Sequence, residues 1–352
     1  MWWIIGFTVL LAIVWIVAMH LFPHRVTLKE GLIMLVIQTC VISAIIFGSL
    51  YGQGSDVQIL NGEVTGKSRE EVSCSHSYSC NCVSVCSGSG SSRTCSQVCQ
   101  TCYEHSYDVE WNVQSSIGYH TEIATIDRQG LKEPPRWSSV KSGEPFAVQD
   151  SYYNYIKASP FSIFNKSGLD NRVAIPAYLS VHDYYRINRV IDFDSEYKPS
   201  GELNTLLNYS LRKLGPDKKV NVVVVLHSKG NLFSESLRAR TLGGKINDVY
   251  LVLDVDKEGD FRHVAVFSWS KSDVVNVKLR DALLDIGKYD SVAINKVVQE
   301  NILQYYVPRS IEDFKYLDDE VEVPTYAIWM VMIFGILFPF GSAYIAYKHE
   351  IA

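Results

Sequence analysis

The sequence predicts an α+β ectodomain carried by three transmembrane helices. Three observations predict it: long charge-free apolar segments at the two ends of the chain, a dense cysteine cluster behind the N-terminal pair, and a well-patterned α/β block near the C-terminus. The apolar segments are Trp2–Phe22, Gly31–Tyr51 and Tyr326–Tyr347, none of which contains Asp, Glu, Lys or Arg. A helix needs about 20 such residues to cross the hydrocarbon core, and soluble core helices rarely stay charge-free for that long.

Charge sets the expected orientation. The short Pro23–Glu30 connection carries Arg25 and Lys29, the tail after the last segment carries Lys348, and the run before that segment is acidic at Glu312, Asp313, Asp318, Asp319, Glu320 and Glu322. Basic residues near span ends stay on the cytoplasmic side. The N-terminus and the large segment Gly52–Pro324 are therefore expected outside and the C-terminus inside, in a multi-pass protein of a bacterial inner membrane. A cleaved signal peptide is disfavoured, because no basic stretch precedes the first apolar run and a second run follows almost at once. The formal net charge is −5, from 33 basic and 38 acidic residues, and no basic block suggests nucleic acid as a partner. The expected partners are the lipid bilayer and a protein on the extracytoplasmic side.

The organisation reads as two membrane helices with a short cytoplasmic loop (1–51), a cysteine-rich segment (52–106), a strand-rich region (107–193), an α/β domain (194–310) and a last membrane helix (324–347).

Seven of the eight cysteines fall in one stretch: Cys74, Cys80, Cys82, Cys86, Cys95, Cys99 and Cys102, spaced C-x5-C-x-C-x3-C-x8-C-x3-C-x2-C. Cys40 lies inside the second apolar segment, as a small apolar filler. The clustered stretch is Ser- and Gly-rich and too poor in Leu, Ile and Phe to build a core, so cross-links must hold it. Outside the cytoplasm disulfides are the default. Six of the seven could form three bridges of unspecified pairing, leaving one free or linked to another chain. The alternative is metal. Cys99 and Cys102 form a two-ligand clip with Cys95 and His105 nearby, His76 lies near Cys80 and Cys82, and zinc takes Cys and His in such spacings.

Tyr107–Val113 and Ser116–Ile126 alternate as β-strands, Asp127–Gly130 reads as a turn, and Lys132–Trp137 reads as an extended, proline-limited loop. The aromatics Tyr152, Tyr153, Tyr155, Phe161 and Phe164 suit either a binding surface or, more commonly, core or membrane-proximal packing. The cysteine-rich loop, roughly Ser73–Glu104, looks inserted at the entrance of this region.

From Asp194 the order is helix, strand, helix, strand, strand, helix, helix. Ser200–Leu214 is a helix with Ser200 as N-cap and Gly215-Pro216 as its stop. Val220–Leu226 (VNVVVVL) is apolar throughout and must be covered on both faces. A helix over Asn231–Leu242, strands over Asp248–Val255 and His263–Ser270, and helices over Val274–Ile286 and Ser291–Tyr306 complete a small α/β sandwich.

This order, with the texture of VNVVVVL, Asn247–Leu253 and His263–Phe267, resembles the TPM domain family over about 110 residues. The resemblance implies an extracytoplasmic domain tethered by a transmembrane helix. It also implies, as an alternative function, a metal-assisted phosphatase with a divalent cation at the α/β domain. Only Asp248 and Asp273 carry over from the family pattern. Val249 replaces the glycine of the expected turn, and Ser268–Asp273 lacks the family's glycine-rich loop.

Leu226-His227-Ser228-Lys229-Gly230 follows a strand and precedes a helix, as the serine of a nucleophile elbow does, with Asp254 and His263 available as partners. The bulky Leu226 argues against that turn; Ser228 or Asn231 capping the helix is the plainer reading. The acidic run Asp254, Asp256, Glu258 and Asp260 reads as a solvated hairpin turn rather than a cation loop. Asn165 and Asn208 match the glycosylation pattern. The resulting expectation is a non-catalytic binding or scaffolding ectodomain without cofactor. The alternatives are a TPM-like hydrolase using Asp248 and Asp273 with a divalent metal, another hydrolase with Ser228 as its nucleophile, or a metal-dependent sensor with zinc at the cysteine cluster.

Overall fold

A computed structural model of the chain describes residues 13–17, 20–21, 28–87, 94–160 and 173–349. The chain forms two compact units, one of residues 1–56, 151–167 and 310–352, the other of residues 57–150 and 168–309.

The first unit holds, among the described residues, two helices long and apolar enough to cross a membrane: Lys29–Gly54 within α1 (Leu28–Gly54), and Thr325–Ile345 within a C-terminal helix, Thr325–His349. The first expected span, Trp2–Phe22, lies mostly outside the described residues. Within it Ile13–Val17 is helical, and Trp15 donates its indole N–H to Gln38 Oε1 at 2.6 Å. Gln38, fully buried on α1, in turn donates to the Gly335 carbonyl at 2.9 Å. A polar side chain between apolar helices is stabilised by such bonds because its apolar neighbours offer it no partner. Ile42 and Val331 are buried beside it.

At the end of α1 the backbone N–H of Asn154 donates to the Gly54 carbonyl, and the Tyr153 hydroxyl reaches the Leu50 carbonyl. A Cβ at Gly54 would overlap the Tyr153 ring, so only glycine permits this approach. Tyr152, Tyr153 and Tyr155 thus pack against the exit of α1, whereas Phe161 and Phe164 lie outside the described residues. Gly52 and Gln53 share a small cavity with Pro324, Thr325 and Tyr326. The excursion between the two helices therefore starts and finishes at the same end of the pair.

The second unit holds two four-stranded sheets. The first has the order β5-β4-β1-β6, from β1 (Ser55–Val72), β4 (Asp108–Ser115), β5 (His120–Ile123) and β6 (Pro145–Tyr153). Its core is Val64, Val109, Trp111, Val113, Ile123 and Phe146. The long strand β1 lies inside the segment read only as cysteine-rich, because its alternation is diluted by polar residues. The segment read as an extended loop instead contains a short helix, Pro135–Ser139, with proline at the first turn, where a missing N–H costs nothing.

Between β1 and β4 the chain inserts a two-stranded hairpin, β2 (Ser77–Ser87) and β3 (Thr94–Tyr103). A second small pair, β7 (Val181–His182) and β8 (Arg186–Ile187), leads to β9 (Val190–Asp192).

The second sheet has the order β12-β11-β10-β9, with β10 (Asn221–His227), β11 (Asp248–Val255) and β12 (Phe261–Ser268). β9, β10 and β11 are parallel and β12 returns antiparallel. β9 begins before Asp194, so the sheet starts earlier than its strongest pattern. Every residue of β10 is buried. Helices α2 (Glu202–Lys218), α4 (Val274–Ile286) and α5 (Ser291–Tyr305) cover the face of Val222, Val224 and Leu226. Helix α3 (Asn231–Arg240) covers the face of Val223 and Val225.

Two helix signals misled. α2 runs through Gly215-Pro216 and ends at Lys219, which takes the left-handed conformation, and its N-cap is Gly201 rather than Ser200. Gly215 serves close packing instead of termination: a Cβ there would overlap Asn61. α3 begins after Gly230 with no side-chain cap, so neither Ser228 nor Asn231 caps it.

Candidate functional site

The inserted hairpin is built by covalent links instead of a core. Cys80 pairs with Cys102, Cys82 with Cys99, and Cys86 with Cys95. The pairing is nested because the strands are antiparallel, so each half-cystine finds its partner across the ladder; Cys86 and Cys95 are directly opposed. The two-ligand clip read at Cys99 and Cys102 is therefore consumed by two different bridges. Side chains along β2 are exposed or at most half-buried, and Tyr78, Val83, Val85, Val98 and Tyr103 are all exposed. A two-stranded hairpin without a packed face is marginal in water, and three cross-links compensate.

Six clustered cysteines being spent, Cys74 remains as a thiol, buried at 7 % exposure. It sits at the neck of the hairpin. Val72 opposite Asp108 ends the β1–β4 ladder, and Ser77 opposite Tyr103 starts the β2–β3 ladder. Between these pairs the outgoing strand carries Cys74 and His76, and the returning strand carries His105 and then Asp108 itself. One ligand-capable atom from each of Cys74, His76, His105 and Asp108 lies within 4.8 Å of all the others. Cys74 Sγ is 3.7 Å from His105 Nδ1, His105 Nδ1 is 3.3 Å from Asp108 Oδ1, and His76 Nδ1 is 3.1 Å from Asp108 Oδ2. The Glu104 N–H donates to the His76 carbonyl and ties the two sides of the neck.

Asp108 is the centre of this cluster. Oδ2 accepts from the backbone N–H of Ser75 at 2.8 Å and from its hydroxyl at 3.0 Å. Oδ1 is buried and accepts no hydrogen bond. The Ser75 backbone N–H holds the carboxyl well below the usual carboxylate range against the opposing pull of burial, helped by the Ser75 hydroxyl, the Cys74 thiol and His76.

The remaining candidates lie elsewhere. Asp248 is fully buried inside a polar network. It accepts from Asn221 Nδ2, from the Tyr178 hydroxyl and from the Lys245 N–H, and burial pushes its carboxyl up. Asn221 and Asn61 accept from the two terminal nitrogens of Arg189, which is 1 % exposed, and Asn208 accepts from its Nε at 2.8 Å. This network joins β1 to β10 and β11 and holds both Asp248 and Asn208. Asp273 is exposed at the start of α4.

Ser228 Oγ donates to the Val255 carbonyl at 2.6 Å and accepts from the Glu196 N–H at 2.9 Å, so it fastens two loops. Across the sheet, register places His227 beside Asp254 and Asp254 beside His263, while Ser228 lies just beyond the end of β10. Nδ1 of His227 accepts from the Lys229 N–H, while its Nε2 and Asp254 Oδ1 are buried without partners. Burial pulls the His227 imidazole down to about 4. In the acidic turn, Asp256 accepts from the Glu258 and Asp260 N–H groups and closes the loop on itself. Asn165 lies outside the described residues.

Sequence reasoning named Cys74, His76 and His105 but assigned them to a diffuse cluster, and it missed Asp108. The one signal that could have found it is the spacing C-x-H and H-x2-D on either side of an inserted hairpin. Comparison with known protein families, characterised proteins and solved structures gives no match.

Proposed function

We propose that this chain is a membrane-tethered, non-catalytic module that presents its cross-linked hairpin to a protein partner outside the cytoplasm. The observation that supports it is the hairpin itself: its described residues add nothing to the core of its unit, yet three disulfides maintain it with apolar side chains in solvent. Disulfides persist in oxidising compartments, which agrees with the placement that Arg25, Lys29 and Lys348 argue for. Exposed aromatic and β-branched side chains on a stiff support lose little entropy on binding. The carboxylate that a hydrolase reading would use, Asp248, is occupied by three donors.

Two measurements test this reading. Photo-crosslinking amino acids at Val83, Val98 and Tyr103 in intact cells should give discrete adducts, while Lys278 on α4 gives none. Adducts only from Lys278 would remove the hairpin from the function. Impermeant thiol reagents should label a cysteine introduced at Lys257 from outside and spare one introduced at Lys348; the reverse pattern would place the hairpin in the cytoplasm.

A further inference from the structure

We propose that Cys74, His76, His105 and Asp108 form a closed, structural zinc site that locks the neck of the hairpin.

Zinc bonds of about 2.05 Å to nitrogen and oxygen, at tetrahedral angles, separate two such donors by about 3.3 Å; a bond of about 2.3 Å to sulfur widens S···N to about 3.6 Å. His105 Nδ1 lies 3.3 Å from Asp108 Oδ1 and 3.7 Å from Cys74 Sγ. Two edges of the tetrahedron are thus already set. His76, within 4.8 Å of the others, completes it by side-chain rotation.

The donors suit the ion. A thiolate, two neutral imidazoles and a carboxylate sum to two negative charges, so bound Zn²⁺ leaves a neutral cluster, which can be buried without a large desolvation cost. Binding forms four metal–ligand bonds and releases the Cys74 thiol proton to solvent. The carboxylate is also prepared for it. Ser75 holds Oδ2 with two hydrogen bonds, fixing the carboxylate as an outer-shell partner does, while buried Oδ1 accepts no hydrogen bond and faces His105 Nδ1 at 3.3 Å. A buried carboxylate oxygen without a hydrogen bond is costly, and an ion at this place lowers that cost. Copper is the natural competitor for one thiolate with two imidazoles, but it prefers a weak fourth ligand, whereas an ionised carboxylate suits zinc.

Position gives the site its role. Among the described residues the hairpin has no packed face against the rest of its unit, so its direction is set by the two short strand-to-strand junctions. One donor pair comes from each junction. All four coordination positions are protein atoms, so no position remains for a substrate, and the site is structural instead of catalytic.

The test uses the full-length chain, purified in detergent with its disulfides intact and dialysed against zinc with a weak competing chelator. Elemental analysis should find one zinc per chain. Cobalt substitution should give a thiolate-to-metal charge-transfer band that Cys74→Ser abolishes. Cys74→Ser and Asp108→Asn should each weaken zinc about tenfold to a hundredfold or more, while non-reducing peptide mapping still finds Cys80–Cys102, Cys82–Cys99 and Cys86–Cys95. That mapping separates loss of the site from misfolding. Spin labels on Val83 and Lys132 should show a narrower distance distribution with zinc than after chelation. The proposal is overturned by absence of zinc from a correctly bridged protein, by zinc retained in the Cys74→Ser/His105→Ala double variant, or by copper with an intense visible copper–thiolate band, in place of zinc, in the protein as isolated from cells. Each of these readings is independent of whether the hairpin crosslinks to a partner.

Discussion

The thiol of Cys74 and Nδ1 of His105, 31 positions apart in the chain, meet at 3.7 Å. Between them the chain runs out and back as a hairpin zipped by three disulfides. The contact exists because β1 and β4 are held in register up to Val72 and Asp108, and because β2 and β3 resume pairing at Ser77 and Tyr103.

A fully covered central strand should tolerate no charge. Val223 lies in β10 with 0 % exposure, packed with Val225, Tyr250 and Val252. Val223→Asp would bury an unpaired carboxylate, and the second unit should fail to fold, as measured by loss of its cooperative melt. Ser228→Ala removes two hydrogen bonds near the surface and should cost only about 1–2 kcal/mol. A folded Val223→Asp protein would refute the strand's central position. A Ser228→Ala protein that keeps its fold but loses a measurable hydrolase activity would restore the elbow reading.

The buried guanidinium of Arg189 should be among the most sensitive positions of the chain. Burial pulls its pKa down to about 10, yet it stays charged at neutral pH because Asn61, Asn208 and Asn221 satisfy its donors. Arg189→Met leaves three amide oxygens without their donor between the two sheets, and should destabilise by about 3–5 kcal/mol in chemical denaturation. A double-mutant cycle with Asn61→Ala should show strong coupling, because both changes break the same bond. Additive effects would mean that the network is not shared.

Acid should weaken the fold through His227. In the native state burial keeps its imidazole neutral down to about 4, whereas in the unfolded chain it takes a proton near 6.5. The unfolded state therefore binds more protons between those values, so stability rises with pH across the window and is lost as pH falls from about 6.5 to about 4. The full effect is about 3 kcal/mol. Asp254, pushed up by burial, acts with the opposite sign at the acid end. Thermal melts of the wild type and His227→Gln between pH 7 and pH 4 should diverge, with the variant losing less stability on acidification. Parallel curves would show that His227 is not buried neutral.

Much of the architecture was legible because it depends on local pattern. VNVVVVL announced a strand buried on both faces, and Val274–Ile286 is a helix with the bounds its periodicity predicts. Pattern failed where a residue answers to something distant. Gly215-Pro216 looked like a helix stop, but Gly215 is small because Asn61 of another strand presses on it. β1 looked shapeless because its second half is largely exposed and rich in polar residues, and β9 is too short to carry a period.

The sequence by itself determined the charge-free length of the terminal helices, the need for cross-links in a segment without a core, and the order of elements in the α/β block. Each of these follows from composition or spacing within one stretch of chain. The tertiary structure alone decided which cysteines pair, why Cys74 is left over, and that Asp108 joins it with His76 and His105. It also decided that Asp248 and Asn208 belong to the Arg189 network instead of a surface site. These outcomes depend on strand register and on the meeting of two sheets. Register is a relation between segments far apart in the chain, set by the sum of the packing on both faces, and no local spacing encodes it.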